Sequence, residues 1–107
     1  MALTRDFKKT IMARVEADPN FAEALLNEAA TLFLNGEPDI AKQILRDLVN
    51  GIVGFEHLAV KINKSSKSLH RMLSATGNPT MQSLSAIFGT ISEILKVNIH
   101  TSTEHYA

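Results

Sequence analysis

The sequence predicts an all-α fold, a compact bundle of about six short helices. Three observations predict it. Apolar residues return every three or four positions between Phe7 and Ile91, Thr, Asp, Ser or proline stands where these stretches begin, and glycines fall near their ends. At 107 residues the chain is one domain's worth. Hydrophobic residues at 45% and charged residues at 21% place it among ordinary globular proteins.

The elements follow in order. Thr4 caps a first helix that carries Phe7, Ile11 and Val15 on one face. Asp18-Pro19 starts a second helix, with the carboxylate as cap and proline in the first turn, and Gly36 ends it. Its expected buried residues are Phe21, Leu25, Ala29, Leu32 and Phe33. Glu37-Pro38 restarts the chain into a third helix that buries Ile40, Ile44, Leu45, Leu48 and Val49, with Gly51 and Gly54 punctuating its end. Two short helices are expected next, about 55–61 and 65–75, joined through Ile62-Asn63-Lys64. Gly77-Asn78-Pro79 forms a turn, and Thr80 caps a helix with Leu84, Ile87, Phe88 and Ile91 inward. Leu95, Val97 and Ile99 then alternate with polar residues, which predicts a short C-terminal strand in need of a partner, such as a second copy of the chain. These elements make a single helical domain over 1–100. An N-terminal helical hairpin occupies 1–36, the core occupies 38–92, and 101–107 is a loose tail.

Several function classes are set aside on composition. No apolar run approaches the roughly 20 residues of a membrane helix, so no membrane association is expected. The start meets charge at Arg5 and Asp6 and lacks the apolar core of a signal peptide, which predicts a cytoplasmic protein. With no cysteine there is neither a disulfide framework nor a thiolate metal site. His57, His70, His100 and His105 show no ligand spacing on one helix face, so no metal or other cofactor is expected. Ser65, Ser66 and Ser68 lack an evident base and orienting acid, Glu23 and Glu28 are poorly aligned as a carboxylate pair, and Gly51–Gly54 is too short for a phosphate loop. The chain is not expected to be an enzyme.

The formal net charge is zero, which by itself argues against a nucleic-acid partner. The distribution is more informative than the sum. Between Asp18 and Glu56 there are seven acidic residues and two basic ones. From His57 to Ser92 there is no acid, and Lys61, Lys64, Lys67 and Arg71 supply four positive charges.

Within that acid-free stretch, residues 55–75 match a helix-turn-helix. Leu58 and Ile62 face inward, Ala59 is small where the helices must approach, and Asn63 tolerates the left-handed conformation of a sharp turn. Ser65 caps the second helix, whose Leu69, Met72, Leu73 and Thr76 fall on one side, opposite Lys64, Lys67 and Arg71. Like charges three and four residues apart cost an isolated helix a few tenths of a kcal/mol each, so stability gives no reason for that stripe. A phosphate-lined groove does. The expected contacts to base edges of double-stranded DNA are Ser66, Lys67, His70 and Arg71. The expected phosphate contacts are Lys61, Lys64, Ser65, Ser74, Asn78 and Thr80.

Beyond the motif, Arg14, Asp18-Pro19 and Phe21, Leu45-Arg46-Asp47, 54–59, 67–73 and Gly77-Asn78-Pro79 recur in a familiar arrangement. In these residues the chain resembles the helix-turn-helix transcriptional regulators grouped with addiction-module antidote proteins, the HigA-like antitoxins of toxin–antitoxin operons. The resemblance spans roughly Leu3 to Val97. It implies a homodimer that binds a palindromic operator as a repressor or autoregulator. It also raises an alternative, an antitoxin that acts mainly by binding and neutralising a small toxin protein. In the group the second motif helix often begins with serine-arginine and carries a tyrosine later, places that here hold Ser66 and His70, so an operator sequence does not carry over.

Overall fold

The computed structural model describes residue 11 and residues 13–106. The expected cap Thr4 and the core position Phe7 lie outside the described residues. Residues 13–17 are helical, and five complete helices follow: α1 (Pro19–Leu34), α2 (Pro38–Ile52), α3 (Phe55–Ile62), α4 (Ser66–Met72) and α5 (Met81–Leu95). The architecture is all-α, with no strand among the described residues, and the radius of gyration of 13.5 Å suits a folded domain of this length.

Local chemistry sets most helix boundaries. The Asp18 carboxylate accepts from the amides of Asn20 and Phe21 at 3.1 and 3.4 Å, and Pro19 fills the first turn, where a missing N–H costs nothing. The preceding turn is tied in as well, because the Arg14 guanidinium lies 4.3 Å from the centre of the Phe21 ring. α1 ends in a Schellman motif. Gly36 adopts a φ of 80°, its amide reaches the Phe33 carbonyl, and the Glu37 amide reaches that of Leu32. The same motif closes α3 at Asn63 and α5 at Lys96.

One core runs through the described residues, from Val15 through Leu26, Leu45, Leu48, Leu58, Leu69 and Leu73 to Ile87 and Ile91. α1 packs most extensively on α2, and α3 contacts both α4 and α5. The fully buried stripe of α1 is Ala22, Leu26 and Ala29, of which Ala29 was expected. The larger Phe21, Leu25, Leu32 and Phe33 flank it half-buried, Phe33 edge-on to Phe88. In α2 the expected Leu45, Leu48 and Val49 are buried, but Ile40 is 51% exposed and Lys42, at 4% exposure, takes an inward position. Gly51 is the penultimate residue of α2, and Gly54, with a φ of 82°, follows its C-cap Val53.

The expected C-terminal strand is not present. α5 continues to Leu95, and Lys96, with a φ of 60°, reverses the chain. Val97 and Ile99 are half-buried because they pack on the core, beside Glu23, Leu26 and Asn27 of α1. Their alternation therefore reflects an extended segment lying across a helix. Residues 100–106 hold no regular structure and run past Asn27, Thr31 and Asn35 of α1.

Candidate nucleic-acid interface

α3 and α4 are joined by three residues, and each has a defined backbone task. Asn63 takes φ 57° and ψ 48°, the left-handed conformation that turns the chain out of α3. The Lys64 amide bonds to the Ala59 carbonyl at 3.0 Å. Ser65, in extended conformation, caps α4, its hydroxyl oxygen accepting from the Ser68 amide at 3.0 Å. The expected helix reaching Ala75 is shorter, because α4 ends at Met72 and Leu73 is its C-cap.

The two faces of α4 differ sharply. Leu69 and Leu73 are fully buried and Met72 is half-buried, whereas Thr76, expected on that side, is exposed. Lys67, His70 and Arg71, three and four residues apart, are all exposed. Lys61 in the last turn of α3 and Lys64 in the connection are exposed too. Among the described residues, none of these four cations is in an ion pair.

The other candidate contacts are less open. The His70 ring stacks on Phe55 at 3.9 Å between centroids and 16° between planes, so one face of the imidazole is covered. Phe55 is itself buried, and the stack fastens the start of α3 to the middle of α4. Ser66 is half-buried at the first position of α4. Ser74 donates its hydroxyl proton to the Arg71 carbonyl at 2.7 Å. Thr80 caps α5, accepting from the Ser83 amide at 3.1 Å while its hydroxyl lies 3.0 Å from that of Ser83. Asn78 is exposed in the turn between α4 and α5.

Two roles that matter to this arrangement were not expected from the sequence, that of Gly77, expected there only as part of a turn, and that of Lys42. Gly77 passes so close to the end of α4 that a Cβ there would fall 2.1 Å from the Arg71 carbonyl oxygen and 2.5 Å from that of Met72. Only glycine fits. Lys42 of α2 donates from Nζ to the carbonyls of Gly77 at 2.7 Å and Ala75 at 3.3 Å. Its spacing from Leu45 and Val49, three and seven residues, was the available clue, because it places the lysine on the apolar stripe.

The described residues hold no group of three or more His, Asp or Glu side chains arranged to bind a metal ion, and no helix among them is long and apolar enough to cross a membrane. In comparisons with known proteins, no family model, no curated protein and no solved structure matches this chain.

Proposed function

We propose that this protein is a sequence-specific DNA-binding transcriptional regulator, a dimeric repressor or autoregulator that reads a palindromic operator. The reading rests on one observation. An exposed cationic face without ion pairs among the described residues lies on α4, the second of two short helices joined by a three-residue turn that opens with left-handed Asn63. In this reading α3 and α4 form a helix-turn-helix, α4 enters the major groove, and Lys67, His70 and Arg71 face base edges. Lys61, Lys64 and Asn78 then lie toward phosphates, with the amides opening α4 and α5 available in support.

Fluorescence anisotropy with the gene's own upstream fragment and a scrambled duplex, over several salt concentrations, tests the reading. A preference of roughly a thousandfold is the expected result for operator recognition. Equal, salt-sensitive binding to both duplexes would remove it. The dimer follows from the affinity and half-site geometry of such motifs rather than from a C-terminal strand. Light scattering that finds only monomer at micromolar concentration would refute it.

A second reading, neutralisation of a basic toxin protein, is favoured by a different surface. Leu34 at 67% and Ile40 at 51% exposure flank the α1–α2 turn, beside exposed Glu37 and Asp39. A basic protein encoded nearby that co-purifies through this surface, and is lost on L34D, would support it. Unchanged capture by L34D would count against it.

A further inference from the structure

We propose that Lys42 is a positioning residue for the DNA-reading face of α4, a role that rests on the DNA-binding reading above. Lys42 sits on α2, outside the acid-free stretch, and its exposure of 4% rules out direct contact with a nucleic acid. A buried ammonium is costly, and a hydrophobic side chain of similar length would fill the same space without that cost. The position therefore calls for something only a cationic donor supplies.

What it supplies is a clamp on the segment that leaves α4. The last carbonyls of a helix and of the turn after it lack intrahelical partners. Here the Arg71 carbonyl is met by the amide and hydroxyl of Ser74, and the Ser74 carbonyl by the Gly77 amide. The carbonyls of Ala75 and Gly77 are met by Lys42. Asp39, 3.6 Å from Nζ but largely exposed, is a minor partner. The positive charge also lies beyond the C-terminal end of α4, where the helix dipole favours it.

Gly77 makes the clamp act on the reading face. Its backbone abuts the carbonyls of Arg71 and Met72 with no room for a Cβ, and Lys42 holds the carbonyl of the same glycine. Fixing Gly77 against α2 thus fixes the last turn of α4, which carries Arg71. The same segment leads into Asn78 and Thr80. One buried lysine therefore sets the placement of a base-contact candidate and of two phosphate-contact candidates together.

The test compares wild type with K42M, which keeps the length and loses the donors. Circular dichroism reports the fold, amide hydrogen exchange reports order along the chain, and anisotropy reports binding to operator and scrambled duplexes. A folded K42M should lose at least tenfold in operator affinity and keep wild-type affinity for the scrambled duplex. Its Leu73, Ser74 and Gly77 amides should exchange faster, while that of Leu48 is unchanged. Wild-type operator affinity in folded K42M overturns the proposal, and so does an equal loss on both duplexes, which would make the lysine a generic charge. If K42M does not fold, G77A probes the same junction with Lys42 intact, and a folded G77A that retains operator preference overturns it. If wild type itself shows no operator preference, the DNA reading fails. The clamp is then judged by exchange alone, where acceleration confined to 73–77 upholds it and a uniform change overturns it.

Discussion

Replacing Asn63 with alanine isolates the turn between α3 and α4, because almost nothing else changes. Asn63 is exposed, and among the described residues its side chain makes no hydrogen bond. Its backbone carries the strain, with φ 57° and ψ 48° at the centre of the left-handed region. A Cβ-bearing residue there costs roughly 1–2 kcal/mol, of which asparagine recovers part and glycine nearly all. N63A should therefore destabilise by about 1 kcal/mol, which lowers the melting temperature of a domain this size by about 4–8 °C. N63V should fall further because its branched Cβ fits that region worst, and N63G should melt at or above wild type. Thermal unfolding followed by far-ultraviolet circular dichroism reads all four proteins. Well below their midpoints, N63A and N63G should bind operator as wild type does, since the turn itself contacts no base. Equal midpoints for N63A, N63V and wild type would refute the left-handed turn, and with it the placement of α4 relative to α3.

Three further outcomes are expected. The double variant K67A/R71A should keep its circular dichroism spectrum and lose specific operator binding, and unchanged affinity would remove α4 as the reading helix. K61A should weaken binding to all sequences alike and reduce the slope of log affinity against log salt by about 0.9, measured by anisotropy titrations. G89A should stabilise, because Gly89 is exposed inside α5 with open space where a Cβ would go. The gain is about 0.8–1.0 kcal/mol from helix propensity, readable as a higher urea midpoint.

The parts of the fold legible in the sequence were those set by neighbours in the chain. Asp18, Ser65 and Thr80 cap the helices they were expected to cap, because a short oxygen-bearing side chain reaches amides only two or three residues ahead. Asn63 turns where a left-handed residue was needed. What depended on partners distant in sequence was harder. Periodicity drew the α1 stripe toward its aromatic residues, yet Ala22 and Leu26 join the expected Ala29 at the centre, where the helix packs on α2. Leu95, Val97 and Ile99 alternate as a strand would, but the first belongs to a helix and the others to a segment lying against α1. Of the candidate site, the exposure of Lys64, Lys67 and Arg71 followed from their opposition to Leu69 and Leu73. The stacking of His70 on Phe55 and the clamp of Lys42 on Gly77 join residues 15 and 35 positions apart, which no local pattern reports.

A formal charge of zero is compatible with an electrostatic partner once distance and screening are considered together. The acids between 18 and 56 lie on or beside α1 and α2, apart from Glu56 in the first turn of α3. The four exposed cations occupy the end of α3, the connection and α4. The molecule extends 43 × 31 × 31 Å, whereas charges in water at physiological ionic strength are screened beyond about 8 Å. A phosphate beside α4 therefore senses the local stripe far more than any acid beyond that distance, and Asp39 of α2, which lines the same cleft as Ala75, Gly77 and Asn78, is the acid set nearest the end of α4. That balance changes with salt. At low ionic strength, where screening extends to about 30 Å, the acidic helices begin to oppose the approach of a duplex. The usual steep rise in affinity on lowering salt should then flatten for this protein, more so than for one whose surface is basic throughout. A local cationic stripe of this kind also favours encounters in which α4 leads, so that a neutral chain can still be steered.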